Sequence, residues 1–249
     1  MRRSRLIAPL HDSLRARQFE RPFTFDSRNR KCVLRHMTPR RRVLLADDHK
    51  VVLEGLRRIL ESDFEIVGEV ADGRALVAAV ETLQPDIIVA DISMPLLNGI
   101  EAARQIHKIN AKIRIIFFTM HGDVSYAAQA LEAGGSAYIL KSSMGTEIME
   151  AIREASNGRI YVTPAIDGEA VRAQMKRARG RADIPELTPR QREVLQLLAE
   201  GKSFKEAAGI LGISIKAIEF HKYGIMKQLG LHSNAELTKY AVKLGMTPP

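Results

Sequence analysis

The stretch Val43-Leu44-Leu45-Ala46-Asp47-Asp48 joins four apolar residues directly to two carboxylates. Three further apolar runs end in the same way, and the polar residues that follow them are, in chain order, Asp91, Thr119 and Lys141. Near-continuous apolar runs are typical of parallel strands that are buried on both faces. Open α/β sheets collect their functional groups just beyond the carboxyl ends of such strands. We therefore predict one sheet that brings all five polar residues to one edge.

Apolar runs alternate with helical periodicity from residue 43 to residue 156. The runs predict strands near 43–46, 65–70, 86–90, 113–118 and 136–140. Helical patterns lie near 50–61, 74–83, 99–108, 124–133 and 145–156, and Asn98 with Glu101 fits a capping box at the start of the third of them. Five such strand–helix units predict an α/β domain over residues 41–157 with a doubly wound, five-stranded parallel sheet.

Residues 187–249 carry only helical patterns and predict a second, smaller, all-α domain. Thr188 with Gln191 and Ser203 with Glu206 fit capping boxes at the starts of two helices. A turn at Gly212 then separates the short second helix from a longer one that runs to about residue 229, and a last helix is predicted at 233–244. A short helix, a glycine turn and a longer helix form a helix-turn-helix. We interpret residues 158–186 as a linker with a possible helix at 168–178.

The net charge of +9 is unevenly distributed along the 249 residues. Residues 1–36 hold ten Lys/Arg against three Asp/Glu, whereas residues 37–157 hold 13 against 17 and residues 187–249 hold nine against five. We interpret residues 1–36 as a basic, disordered extension. A DNA-contacting arm and a translation start at Met37 are the alternatives. The single cysteine, Cys32, and the lack of an apolar run of about 20 residues lead us to expect a cytoplasmic protein without membrane contact.

The polar residues at the predicted sheet edge suit a divalent cation and a phosphoryl group. Mg²⁺ prefers oxygen ligands, and it would offset the mutual repulsion of Asp47, Asp48 and Asp91. With that charge neutralised, Asp91 could act as a nucleophile toward phosphorus. Lys141 could pair with the incoming phosphoryl oxygens, and Thr119 could hydrogen-bond to one of them. The alternative is that these residues only cap helices and turns. The histidines are too scattered to predict a metal cluster.

Residues 41–157 resemble the receiver domains of two-component response regulators. The matching stretches are Val43–His49, Asp91–Gly99, Phe118–Met120 and Tyr138–Lys141. The resemblance implies a sensor histidine kinase as the phosphoryl donor. It also implies these roles: Asp91 as the phospho-acceptor, Asp47, Asp48, Asp91 and the carbonyl of Ser93 as the Mg²⁺ ligands, Thr119 and Tyr138 as the switch pair, and Lys141 as the phosphate partner.

The predicted helix at 214–229 has two different faces when it is drawn at about 100° per residue. One face should pack on the domain core and carries Ile215, Ile218, Ile225 and Leu229. The opposite face should point outward and carries Lys216, Glu219, Phe220, Tyr223 and Lys227. If the helix enters the major groove of double-stranded DNA, Lys216, Lys222 and Lys227 suit phosphates, and Glu219, Phe220 and Tyr223 suit base edges. A solvated face of a partner-binding helical bundle is the alternative.

Residues 187–245 are similar to the LuxR-type helix-turn-helix, as it is paired with receivers in the NarL/FixJ class. The similarity lies in Leu187–Leu195, Leu198–Lys202, Leu211–Ser214 and Glu219–Lys222. The chain departs from the family at Phe204, where Asn is usual, and at Ala217, where Thr is usual. The two resemblances imply a phosphorylation-controlled, DNA-binding transcription regulator that is not an enzyme and that forms a homodimer when phosphorylated.

Two other classes of function stay open on the residues alone. A phosphatase with an aspartyl-phosphate intermediate would need an acid/base carboxylate two residues after its nucleophile, where this chain has Ser93. An interaction protein would use the helical C-terminal segment to bind other proteins rather than DNA.

Overall fold

Parallel strands form the centre of the structure, a computed structural model that describes residues 40–180 and 187–247. The predicted basic extension at 1–36, with Cys32, lies outside the described residues, as does Met37. The strands are β1 (Arg42–Ala46), β2 (Glu65–Val70), β3 (Ile87–Ala90), β4 (Arg114–Thr119), β5 (Gly135–Leu140) and β6 (Tyr161–Val162). They form one sheet in the order β2-β1-β3-β4-β5-β6, and every neighbouring pair is parallel.

The sheet has six strands, one more than the sequence predicts. The five predicted strands are confirmed. The additional strand, β6, lies in the segment interpreted as a linker and pairs with β5 through Ala137–Tyr161 and Tyr138–Val162. A strand of two residues is too short to show a periodic pattern, so only its partner in space reveals it.

Helices follow the strands in the predicted rhythm. In the α/β domain they are α1 (Lys50–Leu60), α2 (Gly73–Leu83), α3 (Gly99–Ile109), α4 (Val124–Glu132) and α5 (Met144–Ser156), with a 3-10 turn at Lys141–Ser143 before α5. The predicted linker helix is α6 (Gly168–Gly180). The C-terminal domain contains α7 (Pro189–Ala199), α8 (Phe204–Leu211), α9 (Ile215–Leu229) and α10 (Asn234–Lys243). Within the described residues, every helix is too short or too polar to cross a bilayer.

Two apolar layers hold the helices against the sheet. One face of the sheet packs on α2, α3 and α4 through a cluster that includes Leu76, Ile106 and Phe117. The other face packs on α1 and α5, and Leu56 and Ile152 belong to that second cluster. Burial on both faces explains why the strand sequences are almost continuously apolar.

The C-terminal helices have a core of their own. Val194, Leu211, Ile218 and Ile225 belong to this third cluster, and all four side chains are buried. The predicted capping boxes at Thr188 and Ser203 are both formed. These caps satisfy backbone N–H groups that the first turn of a helix leaves without partners.

The predicted capping box at the start of α3 is only half formed. The Asn98 side chain accepts the Glu101 backbone N–H at 2.9 Å, as expected. The Glu101 carboxylate, however, forms an ion pair with Arg192 of α7 at 2.7 Å. Pairing with Arg192, and with Arg104 of α3 at 3.1 Å, therefore takes the carboxylate that would complete the local motif.

Candidate functional site

The register between β1 and β3 places Asp47 beside Asp91. Ala46 pairs with Ala90, and the backbone N–H of Asp91 donates to the Ala46 carbonyl at 2.9 Å. Both carboxylates therefore leave neighbouring strands at the same level, and both residues are buried. The two strands flank the point where the strand order reverses, which is where open α/β sheets bind ligands.

Lys141 joins the two buried carboxylates. Its ammonium nitrogen lies 2.6 Å from Asp47 Oδ2 and 2.9 Å from Asp91 Oδ2. Burial alone would lower the pKa of Lys141, but the attraction of Asp91 and Asp47 outweighs it, and the pKa is raised above its ordinary value. The side chain is therefore a fixed positive charge directly beside the oxygen of Asp91.

The carboxylates at this edge could hold a cation. Ligand atoms of Asp47, Asp48, His49 and Asp91 all lie within 4.8 Å of one another. The donor set is mainly carboxylate oxygen and is partly exposed through Asp48, which fits a hard cation that keeps water ligands. The residues present therefore fit Mg²⁺.

His49 is closer to the acidic group than the sequence interpretation allowed. Its Nδ1 lies 2.9 Å from Asp48 Oδ1 and 3.1 Å from Asp47 Oδ1. Scattered histidines do not predict a cluster, but this one directly follows the aspartate pair at the end of β1. That adjacency was the signal that could have identified it.

Thr119 and Tyr138 meet around one residue that the sequence did not single out, His121. The Tyr138 hydroxyl donates to the His121 carbonyl at 2.9 Å, and Thr119 Oγ1 accepts the His121 backbone N–H at 3.4 Å. Both side chains are completely buried. Burial, followed by the nearby carboxylates Asp123 and Asp91, raises the pKa of Tyr138, so its hydroxyl stays protonated as a donor.

The His121 ring connects the acidic site with α4. Its Nε2 lies 2.8 Å from Ser93 Oγ, and its ring centroid lies 4.3 Å from that of Tyr126. Burial lowers the pKa of His121, although Asp91 and Asp123 oppose that effect. The Tyr126 hydroxyl in turn lies 3.3 Å from the carbonyls of Val242 and Lys243 at the end of α10. The side chains of Ser93, His121 and Tyr126 thus connect the loop after Asp91 to the C-terminal end of α10.

The loop that follows Asp91 is held by α7, and the described residues of both domains belong to one compact unit. The Gln196 side-chain carbonyl accepts the Asn98 backbone N–H at 2.7 Å, and its amide donates to the Met94 carbonyl at 3.0 Å. One turn after Gln196, Glu200 at the C-cap of α7 accepts the Leu96 backbone N–H at 3.0 Å. Gln196 is 1% exposed, so these polar groups are fully enclosed between the domains.

Charged residues surround this contact. Arg192 pairs with Glu101 at 2.7 Å, and Glu193 accepts a hydrogen bond from the Gln105 amide at 2.9 Å. Partial burial raises the pKa of Glu200, although its hydrogen bonds with Gln196 and Leu96 act in the opposite direction. No periodic signal marks these residues as an interface, because a polar stripe on α7 has the same pattern as a solvated face.

Five of the six predicted DNA-contacting residues lie exposed on α9. They are Lys216, Glu219, Phe220, Tyr223 and Lys227. The sixth, Lys222, is half-buried, and its ammonium lies 5.2 Å from the centroid of the Phe204 ring. Lys222 is only about 40° from the buried Ile218 around the helix, which explains its partial burial.

The predicted core face of α9 is correct for Ile218 and Ile225, which are fully buried, and wrong for Ile215, which is 46% exposed. The side chains of Ile218 and Ile225 define the centre of the buried stripe. Ile215 lies about 70° from that centre and at the first turn, so it falls on the edge of the stripe.

Comparison with known families agrees with this two-part arrangement. Residues 43–153 match the family described as "Response regulator receiver domain". Residues 185–241 match the family described as "Bacterial regulatory proteins, luxR family".

Individual relatives match over both parts of the chain. The transcriptional regulatory protein LiaR of Bacillus subtilis is 36% identical over 80% of this chain and 96% of LiaR. The response regulator UvrY of Escherichia coli is 30% identical over 82% of this chain and 94% of UvrY. A structure of the response regulator RcsB of Salmonella typhimurium is similar with a TM-score of 0.57 at 28% identity, covering 82% of this chain and 98% of RcsB. Another RcsB structure, bound to a promoter with the phosphomimetic BeF₃⁻, has a TM-score of 0.55 at 29% identity and covers 81% of this chain and 98% of RcsB.

Proposed function

Because this chain belongs to the response regulators that join a receiver domain to a LuxR-type DNA-binding domain, and is a phosphorylation-controlled transcription regulator, we propose that Asp91 is its phospho-acceptor. The observation that carries the proposal is the contact of Lys141 with both Asp91 and Asp47. A buried lysine between two carboxylates places a positive charge where phosphoryl oxygens would arrive.

The proposed transfer forms an acyl phosphate. A carboxylate oxygen of Asp91 attacks phosphorus, and the bond from phosphorus to the phosphohistidine nitrogen of a sensor histidine kinase breaks. Asp47, Asp48, Asp91 and the Ser93 carbonyl would hold Mg²⁺, which when bound offsets the negative charge of the carboxylates and the phosphoryl group. Lys141 contacts an oxygen of the new phosphate, and Asp91 Oδ1 remains oriented by the Ile92 backbone N–H at 2.6 Å.

The phosphoryl group on Asp91 would bias the contacts around His121. Thr119 and Tyr138 both bond to the backbone of this residue, and Ser93 bonds to its ring. A phosphate oxygen that draws the Thr119 or Ser93 hydroxyl toward itself would move that side chain away from His121. The change would reach the C-terminal domain through Tyr126 and through the loop held by Gln196. These contacts, either formed or broken, supply the two-state element that such a switch needs.

In the same proposal, α9 enters the major groove of double-stranded DNA. Lys216, Lys222 and Lys227 contact phosphates, and Glu219, Phe220 and Tyr223 reach base edges. Phosphorylation would favour a homodimer. The two copies of α9 in such a dimer could bind two half-sites one helical turn apart. The phosphatase alternative lacks support, because the position two residues after Asp91 is Ser93, whose hydroxyl bonds to His121.

Phosphate labelling of full-length protein tests the assignment. We expect the wild-type protein to acquire hydroxylamine-labile phosphate from acetyl phosphate in Mg²⁺, and Asp91→Asn to acquire none. Asp63→Asn is the matched control, because Asp63 is exposed and its carboxylate bonds to Ser62, away from the site. Full labelling of the Asp91→Asn protein would contradict the proposal.

A further inference from the structure

Exposed apolar side chains of the DNA-binding domain are concentrated on α9. Among the described residues 187–247, the exposed large hydrophobic residues are Ile215, Phe220 and Tyr223. Phe220 is the most exposed of them at 74%, so its ring contributes almost nothing to the domain core. Phe220 and Tyr223 lie three residues apart on the same face of α9, and apolar rings grouped on an otherwise polar surface are typical of a binding site. The exposed ring therefore points to a ligand with an apolar group of its own.

The Phe220 ring is partly oriented before any ligand binds. The ring of His221 packs against it edge to face, with 5.9 Å between the ring centroids and 68° between the planes. A ring supported in this way loses less conformational freedom on binding than an isolated side chain would. The Phe220 ring can therefore contact a ligand group in a defined orientation.

The charge around Phe220 favours DNA over an apolar protein surface. Lys216 and Lys227, one turn before and two turns after it, are exposed on the same face of α9. Basic residues on both sides of an apolar centre match the major groove, where phosphates flank the base edges. An apolar protein surface would leave these ammonium groups without opposite charge.

The major groove offers one apolar group on its base edges, the 5-methyl group of thymine. We propose that Phe220 is a specificity-determining residue that reads thymine methyl groups, so that this chain prefers DNA sites with thymine under its ring. The inference rests on the proposed function and names the base that the α9 surface selects. Glu219 precedes Phe220 and accepts hydrogen bonds, so it suits the N4 amino group of cytosine instead.

Replacing thymine by deoxyuridine isolates this contact, because the change removes only the methyl group. Short duplexes are selected from a random pool with the full-length protein in BeF₃⁻ and Mg²⁺, and each thymine is then replaced in turn. At the thymine under Phe220 we expect wild-type affinity to fall about fourfold, the factor equivalent to about 0.8 kcal/mol for one buried methyl(ene). The Phe220→Ala protein should bind the two duplexes equally, and Phe220→Leu should keep part of the discrimination.

Lys216→Ala is the matched control on the same helix face. It should weaken binding to both duplexes and keep their ratio, because a phosphate contact does not depend on the base methyl. Phe220→Ala should melt at the wild-type temperature, since the ring is exposed. Equal wild-type binding to thymine and deoxyuridine duplexes, or an unchanged ratio in Phe220→Ala, would overturn the inference and leave the ring for a protein partner. Failure of the wild-type protein to retain any duplex at low salt would refute the proposed function itself.

Discussion

The side chain of Gln196 in α7 accepts a hydrogen bond from the backbone N–H of Asn98 at 2.7 Å. Asn98 is the N-cap of α3 and ends the loop that begins at Asp91, the proposed phospho-acceptor. A buried side chain of the DNA-binding domain therefore takes part in fixing the conformation of the loop next to the proposed phosphorylation site. The loop cannot move without breaking hydrogen bonds that belong to the other domain.

Gln196→Ala should weaken the coupling between the domains. The substitution leaves the Asn98 N–H and the Met94 carbonyl without their partner, which should lower the free energy of unfolding by about 1–3 kcal/mol. We expect the ratio of DNA affinities with and without BeF₃⁻, measured by fluorescence anisotropy, to approach one. Gln174→Ala, at a half-buried position on α6, is the control. A wild-type affinity ratio in the Gln196→Ala protein would show that α7 does not carry the signal.

Glu200→Gln should change how stability depends on pH. Burial raises the pKa of Glu200 above 4.5, so the folded protein favours the protonated form. Its contribution to stability is complete below pH 4.5 and is lost as the pH rises through the raised pKa. Glutamine keeps a carbonyl acceptor for the Leu96 N–H but does not ionise. The Tm of Glu200→Gln relative to wild type should therefore increase as the pH rises to neutrality.

The control for that pH series is Glu81→Gln, because Glu81 is exposed on α2 and away from the domain contact. Its Tm should differ from that of the wild-type protein by the same amount at every pH. If Glu200→Gln behaves in the same way, ionisation of Glu200 does not act on the interface.

Replacing Lys216 and Lys227 by Ala should weaken binding to every DNA sequence. Each phosphate contact adds about 0.9 to the slope of log affinity against log salt, so the double variant should lose up to about 1.8 of that slope. Titrations at several salt concentrations measure it. Lys112→Ala removes an exposed charge from the receiver domain and should leave the slope unchanged. An unaltered slope in the double variant would remove both lysines from the DNA interface.

Gly99→Ala should destabilise the acidic site through a clash with the backbone of Asp91. A Cβ at this position would lie 2.0 Å from the Asp91 carbonyl oxygen, which is backbone and cannot move aside cheaply. We expect a loss of about 1–3 kcal/mol or more in the free energy of unfolding, together with reduced phosphate labelling. Gly209→Ala is the opposite case, because a Cβ there meets nothing within 4 Å in the exposed middle of α8. Gly209→Ala should raise the free energy of unfolding by about 1 kcal/mol. Chemical denaturation of the Gly99→Ala and Gly209→Ala proteins measures both changes.

The main strands and the helix-turn-helix could be predicted because their signals are local. A buried parallel strand needs an apolar run, and a helix start needs a capping residue such as Thr188 or Ser203. The grouping of Asp47, Asp91 and Lys141 followed as well, since the carboxyl ends of parallel strands share one edge of the sheet. The wheel for α9 placed Ile218 inside correctly and Ile215 wrongly, because a periodicity does not give the width of the buried stripe.

The sequence by itself therefore determined the two folds and the residues at the acidic edge. Only the tertiary structure decided that β6 extends the sheet, that His121 links Ser93 to Tyr126, and that α7 holds the loop after Asp91. The physical reason is separation along the chain. Glu101 could close its own capping box or pair with Arg104 of its own helix from local spacing alone, but only the packing of one domain against the other brings Arg192 within reach of it.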